Sequence, residues 1–577
     1  MKKQDSYESI LKKPLRLWPG IALAVLVLLL RYAVPAINSE FAMQGVLSGL
    51  AGSLAIFIWW TFFSRAPWSD RLITLSVMII AAVGTAFLLH ESIATGMMGL
   101  MFPIHIAPLL GLALVVWATL SAQRSQTFRR YSMVATFLLL CGAWTLLRTD
   151  GISGSGSSDL EWRWSKTPEE KLLTQTETES SSPTDTQANN AFLEEPIWPG
   201  FRGPERNSIV RDLQIETDWQ AAPPQEMWRR SVGPGWSSFA VQGNLFYTQE
   251  QRGEEEVVSC YKLDTGDPVW KHATATRFWE SNAGAGPRGT PTLHEGRVYT
   301  FGATGTLNVL DARDGSLIWT RNVASDTESK TPGWGFSSSP LIVGDIVAIA
   351  SSGALAAYEM ESGELRWFES LGGEGYSSPH LLTIDGAQQI LQMSGAGLAS
   401  ISPSDGKVLW EHVWKGYPIV QPAIADGGEI LISTGDRSGV RRIHVSKSPD
   451  RWTTEERWTS NRLKPYFNDF VVHEGHAFGF DSGILACMDL EDGKRKWKGR
   501  RYGRGQLVLL ADQGLLIVIS EQGELALVEA SSDGLHELSR LKALEGKTWN
   551  HPVVAGDTLL VRNDHEMAAF QLSLIDS

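Results

Sequence analysis

Eight short segments between residues 236 and 551 carry the side chains with which this 577-residue chain could do chemistry: Trp236-Ser-Ser-Phe, Arg288-Gly-Thr-Pro, Ser337-Ser-Ser-Pro, Tyr376-Ser-Ser-Pro, Ile419-Val-Gln-Pro, Phe467-Asn-Asp-Phe, Arg504-Gly-Gln-Leu and Trp549-Asn-His-Pro. Arg288 and Arg504 offer planar forks of donors matched to carboxylates. Asn468 and Asp469 supply a few oxygens toward a calcium ion, which takes about six to eight. Asp469 and His551 are the residues able to act as a base, and Trp236 and Trp549 are able to stack on a planar ligand. The same residue types have a plainer use, because Ser, Asn and Asp beside strands satisfy loose backbone groups in turns. Both uses stay open on the sequence.

These segments recur at intervals of 37 to 52 residues, and each opens one copy of a longer repeat. After the opening come apolar runs separated by Gly-containing turns, as in Thr292-Leu-His-Glu-Gly-Arg-Val-Tyr-Thr-Phe301, which read as short strands. Each copy closes alike, in Asp264-Thr-Gly-Asp-Pro-Val-Trp270, Asp314-Gly-Ser-Leu-Ile-Trp319, Ser362-Gly-Glu-Leu-Arg-Trp367, Asp405-Gly-Lys-Val-Leu-Trp410 and Asp492-Gly-Lys-Arg-Lys-Trp497. The copy ending in Trp458 lacks the Gly, and Asp533-Gly-Leu-His-Glu-Leu538 lacks the Trp. Four strands per copy and eight copies predict an all-β eight-bladed propeller, with the Trp side chains wedged between blades. The openings then converge as a polar ring at one mouth of the axial channel, the natural place for a small-molecule ligand. The last copy ends at Met567–Leu574 without an outer strand, so the segment around Trp228 is expected to pair there and close the ring.

Residues 1–148 are a different material. Five apolar blocks, Leu17–Ile37, Phe41–Phe63, Leu72–Leu89, Met97–Leu120 and Tyr131–Leu147, predict a helical domain of five membrane spans in contact with lipid. Lys2, Lys3, Lys12, Lys13 and Arg16 precede the first block; Arg65 and Arg71 lie between the second and third, and Arg124, Arg129 and Arg130 between the fourth and fifth. The positive-inside rule places that side in the cytoplasm and, after an odd number of crossings, the propeller outside, which is the periplasm of a bacterium with two membranes. His105 lies mid-span, suited to an interhelical hydrogen bond or a proton or quinone role. Residues 149–195, rich in Ser, Thr and acids, read as a flexible linker interrupted by Leu160-Glu-Trp-Arg-Trp and Pro168-Glu-Glu-Lys-Leu-Leu, and residues 196–577 form the propeller. Net charge of −13 argues against nucleic acid as a partner. Cys141, Cys260 and Cys487 lie too far apart in the repeat order to pair.

The closing motifs, together with Trp198-Pro-Gly-Phe-Arg-Gly-Pro-Glu-Arg-Asn207, resemble the tryptophan-docking repeats of pyrroloquinoline-quinone (PQQ)-like propellers over residues 196 to 577. That resemblance implies one of two functions. Quinoprotein dehydrogenases hold PQQ and calcium on the propeller axis, whereas the outer-membrane assembly lipoprotein branch binds protein and no cofactor. The dehydrogenase reading implies PQQ on Trp236, Arg288, Arg504 and Trp549, Ca²⁺ at Asn468 and Asp469, and oxidation of a sugar or alcohol with reduction of membrane quinone. The repeats leave little sequence for large catalytic loops, and there is no adjacent Cys pair and no Cys-x-x-Cys-His. The lipoprotein branch's lipid-acceptor Cys is also missing near the start. The reading that follows is an inner-membrane protein whose propeller binds or scaffolds envelope or periplasmic protein partners.

Overall fold

Each copy of the repeat folds into an antiparallel sheet whose central strands are buried on both faces, so they read as continuous apolar runs rather than alternating ones. Ile346–Ala350 is buried at every position. The structure is a computed structural model and describes residues 15–37, 41–154, 158–176, 194–384, 386–435, 437–449 and 451–575. The chain divides into two compact units, Met1–Ser165 with Ser281–Ala283, and Lys166–Glu280 with Gly284–Ser577.

The second unit is an eight-bladed propeller. Numbered from their innermost strands, the blades begin at Ala240–Gln242, Thr292–His294, Leu341–Val343, His380–Ile384, Ala423–Ala425, Val471–His473, Gln506–Leu510 and Val553–Ala555. Blade 2 shows the common register, Tyr299 opposite Val309 and Val309 opposite Trp319. Blade 7 gains a fifth strand, Ile209–Val210, parallel to Leu509–Leu510. Blade 8 takes its outer strand from Gln225–Ser231, with Trp228 opposite Ala569, so the expected closure is present.

Blade-to-blade packing follows from the closing motif. Trp228, Trp270, Trp319 and Trp367 donate Nε1–H to the carbonyls of Leu263, Ala312, Met360 and Pro403 in the next blade at 2.8–3.0 Å. Each indole covers the glycine of that blade's closing turn: a Cβ added at Gly266, Gly315, Gly363 or Gly406 would meet the ring at 2.7, 2.4, 2.6 or 2.7 Å. Only hydrogen fits beneath the ring, which is why Gly and Trp recur together. Blade 5, whose closing turn lacks Gly, offers no such seat. Trp410 of blade 4 instead donates to Gln389 Oε1 of its own blade at 2.7 Å. Apolar clusters run across the same seams, as where Tyr299, Phe301 and Val309 of blade 2 join Val347, Ile349 and Tyr358 of blade 3.

The first unit is helical. Among the described residues, four helices are long and apolar enough to cross a membrane: α1 (Trp18–Ile37), α2 (Met43–Phe63), α3 (Trp68–Ala86) and α4 (Met101–Leu120). Of the five expected spans, four meet this length and apolarity. The fifth block lies in helix α5 (Gln126–Ala143), whose first turns carry Gln126, Arg129, Arg130 and Ser132 and dilute its apolarity. Met133, Phe137 and Cys141 of α5 are nevertheless buried in the same core as Trp60, Leu114 and Ala118. Mid-span His105 bonds through Nδ1 to the Met101 carbonyl one turn back, at 2.9 Å. Leu147–Ile152 pairs with Ser158–Trp162 as a hairpin, and Trp162 stacks on Trp164 at 5.1 Å. Within the propeller unit, helix Pro168–Thr176 is held by Glu169, whose two oxygens accept from Arg277 at 2.8 and 2.9 Å. The three cysteines are buried free thiols.

The Trp–Gly seat gives a direct test. Gly296 and Gly315 both have φ near +70°, but a Cβ at Gly296 meets nothing within 4 Å. Gly296→Ala should therefore show only the left-handed backbone term, roughly 1–2 kcal/mol. Gly315→Ala should add about 1–3 kcal/mol of steric cost against Trp270. Equal urea midpoints for the two variants would refute the docking account.

Candidate functional site

The eight openings arrange their residues in levels along the propeller axis. The third residue of each opening forms a belt. Ser238 N–H donates to Thr290 Oγ1, Thr290 N–H to Ser339 Oγ, Ser339 N–H to Ser378 Oγ, Ser378 N–H to Gln421 Oε1 and Gln421 N–H to Asp469 Oδ1, at 2.7–3.0 Å. Asn468 Nδ2 carries the belt on to the Gly505 carbonyl, and Gln506 Nε2 to the Trp549 carbonyl at 3.2 Å. Asn550 Nδ2 returns it to the Ser237 carbonyl of blade 1 at 2.7 Å. All eight seams are thus crossed by a side chain that satisfies the next blade's backbone, or is satisfied by it. Buried backbone groups require such partners.

The first residues of the openings, with neighbours, form an aromatic pavement. Trp236 packs on Trp549 with ring centroids 4.8 Å apart, Trp549 on Phe467 at 5.1 Å, and Trp334 on Tyr376 at 5.2 Å. Tyr376 meets Tyr417 at 5.4 Å. Lys547 Nζ lies over Trp549 at 4.5 Å and the Arg504 guanidinium over Tyr466 at 4.3 Å. Trp549 Nε1 donates to Glu521 at 2.9 Å. Arg288 turns away into its own loop, donating to the carbonyls of Gly284, Ala285, Gly286 and Trp334 at 2.6–3.2 Å, with Glu280 at 3.7 Å.

On the far side of the belt, the segment from Trp198 to Val210 crosses the channel as a plug. Trp198 exchanges backbone hydrogen bonds with Val241 of blade 1, and Leu293 N–H of blade 2 donates to Pro199 O. Arg206 donates to Ser339 O and Pro340 O, and Arg202 to Phe470 O. Arg202, Arg206 and Ser208 all take positive φ, which a non-glycine residue holds only where its surroundings compel it. Here the compulsion is the reach of two guanidinium groups to opposite blades. Asp469 sits between belt and plug, with Arg202 Nε 3.5 Å from its Oδ2. Burial raises the Asp469 carboxyl above its ordinary range and Arg202 opposes that shift. His551 bonds to Ser208 Oγ through Nε2 and to Pro552 O through Nδ1, both at 2.9 Å. Burial, with Arg202 nearby, pushes its imidazole down to about 3, so it is neutral.

The ring residues expected from the sequence therefore do not converge on one point. Trp236, Trp549 and Arg504 are at the aromatic mouth, Arg288 is in its own loop, and Asn468, Asp469 and His551 are in the belt beneath. Arg202 and Arg206 emerge only from the structure, although both lie in the Trp198–Asn207 segment.

A PQQ-repeat family profile described as outer membrane protein assembly factor BamB matches residues 219–378 and 254–499. The propeller's repeats are similar to those of that family over residues 219–499. BamB of Yersinia pestis is 22% identical over 366 residues, covering 59% of this chain and 86% of that protein. BamB of Escherichia coli is 25% identical over 372 residues, covering 55% and 91%. The quinohemoprotein alcohol dehydrogenase of Comamonas testosteroni shares the fold at a TM-score of 0.50 and 12% identity, over 71% of this chain and 85% of that one.

The contacts of the axial residues decide whether they fit the quinone and calcium that the sequence resemblance implied. Arg288 spends its donors on four carbonyls, and Asp469 Oδ1 is taken by the Gln421 N–H with Arg202 beside Oδ2. Asn468 Nδ2 is bound to Gly505. Among the described residues, no three His, Cys, Asp or Glu side chains gather as a metal site. The donor set does not match a tricarboxylate quinone with calcium.

The belt makes Asp469 a structural keystone. Asp469→Ala would leave the Gln421 N–H unsatisfied and Arg202 without its counter-charge, a loss of about 3–5 kcal/mol. Urea unfolding of the two proteins measures it; a loss below about 1 kcal/mol would remove Asp469 from the belt.

Proposed function

We propose that this chain is a membrane-anchored scaffold whose propeller binds protein partners of the cell envelope. One observation carries the reading. The outer strands of blades 2, 3 and 4 expose Leu317, Ile318, Leu365, Phe368, Val408 and Val413, between 36% and 66% accessible. These strands are the free edges of their sheets, and apolar side chains on free edges mark surfaces that another chain covers. The outer strand of blade 6, by contrast, reads Arg-Lys-Trp-Lys-Gly-Arg-Arg from 495 to 501 and repels such pairing. The similarity to proteins named as outer membrane assembly factors supports the same reading. A photoreactive residue at Ile318, Phe368 or Val413 should give adducts with envelope proteins in cells. Phe368→Lys with Val413→Lys should abolish them at unchanged melting temperature. Adducts with no protein at any of the three positions would sink the proposal.

The anchor is residues 1–148, joined through 149–195 to the propeller at 196–577. We assign α5 as a fifth crossing, because its buried face shares the core of the four apolar helices. Arg124, Arg129 and Arg130 then lie on the same side as Arg16, Arg65 and Arg71, which is the cytoplasmic side, and the propeller is periplasmic on the inner membrane. In spheroplasts, a cysteine placed at Asp314 should react with a membrane-impermeant maleimide and one placed at Arg65 should not. The reverse pattern would overturn the topology.

A further inference from the structure

The plug leaves a cleft of about 1380 Å³ beside the inner strands of blades 3 to 6. Its floor and its rim differ in charge. The floor holds Arg202, Arg206 and His380, all buried. Asp469 stands beside Arg202, but among the described residues no carboxylate lies within 4.0 Å of Arg206. Among the described residues, the Arg206 guanidinium has the Ser339 and Pro340 carbonyls, at 3.0 and 2.8 Å, and the face of the Phe201 ring, 6.0 Å from its centroid. His380 is neutral, since burial, with Arg206 and Arg202, pushes its imidazole down to about 3. Two buried guanidinium groups thus share one carboxylate, leaving a positive charge facing the cleft, an arrangement that favours an anion. The rim carries the exposed acids Glu205, Glu474 and Glu491.

The same end of the channel already accepts an added strand. Ile209–Val210 lies along the free inner edge of blade 7, parallel to Leu509–Leu510. The next inner edge, Val471–His473 of blade 6, is the terminal strand of its sheet and lines the cleft. We propose that the cleft binds an extended peptide by its C-terminal carboxylate, seated on Arg206, with the peptide main chain along Val471–His473. The acidic rim then favours basic residues upstream of that carboxylate. This assignment rests on the protein-binding reading above and names the chemistry that one site of the propeller recognises.

The test uses the full chain in nanodiscs and fluorescence anisotropy of a six-residue Val/Thr peptide with one Lys, labelled at its N-terminus. Amidating the C-terminus should weaken binding about tenfold or more. Arg206→Met should bind the acid and the amide equally, and Arg206→Lys should restore part of the difference. Arg211 also lines the cleft and is exposed. Arg211→Glu therefore keeps the test valid if Arg206→Met does not fold, and it should selectively weaken the acid form. Equal affinity of acid and amide for the unaltered protein would overturn the proposal. So would displacement of the peptide by acetate or succinate at equal concentration, which would make the site one for small carboxylates. Outer-strand adducts at Ile318, Phe368 or Val413 that persist in Arg206→Met would leave the scaffold reading standing by itself.

Discussion

Ring closure is the constraint on which the rest of the propeller depends. Seven blades complete themselves from consecutive sequence, but the eighth needs Gln225–Ser231, some 340 residues from its partner strand. Bringing such distant segments together carries an entropic cost of roughly 5 kcal/mol by the logarithmic loop scaling, and the seam is correspondingly dense. Trp228 stacks on Phe246 at 5.5 Å and donates to Leu263 O, while Arg229 pairs with Glu566 at 2.9 Å. Buried Arg562 of blade 8 reaches blade 1 through Thr248 Oγ1 at 2.6 Å and Gln249 O at 3.0 Å. Glu250, buried beside it, accepts from Gly233 N–H, Ser259, Tyr261 and Arg252, which hold its carboxyl down at about 2 against the opposing effect of burial. A fully buried charge is tolerated here because every oxygen is satisfied.

The same constraint explains the fate of the polar ring. Strands that converge on an axis bring their starting residues together, whatever the protein does with them. Their backbone groups lie too close to the axis for each blade to satisfy its own. Each is satisfied by the neighbour, so the third position of the openings must carry an oxygen: Ser, Thr, Ser, Ser, Gln and Asp from blade 1 to blade 6. Those residues differ in type yet do the same job, each accepting from or donating to the neighbouring blade.

Legibility in the sequence follows the range of the contact. The Trp–Gly seat repeats with the blade, so periodicity exposes it, and the copy without Gly already marks the seam where Trp410 turns to Gln389. Closure through Trp228 is legible for a related reason, since the last copy visibly lacks a strand. The plug is not. Arg202 meets Phe470 and Arg206 meets Pro340 across 268 and 134 residues, contacts made once each, with no repeat to reveal them. The fifth block is less apolar than the other four for a local reason: the apolar run from Tyr131 continues a helix that begins at Gln126, and its polar first turns dilute the whole helix.

The plug also alters which end of the propeller is available. At the aromatic mouth, Lys547 and Arg504 lie over indole and phenol rings, and Glu521 is bound to Trp549. Its charges are engaged with one another and with the rings. At the plugged end, Arg206 faces a cleft with two carbonyl oxygens and the Phe201 ring as partners and, among the described residues, no carboxylate within 4.0 Å. A propeller whose belt bridges all eight seams can hold a strained, positively charged segment across its channel, because the belt fixes Ser339, Pro340 and Asp469 where the two arginines need them. The strain in the plug and the order in the belt are therefore one design: removing the belt's acceptors would release the arginines, and with them the only buried positive charge at that end that lacks a carboxylate among the described residues.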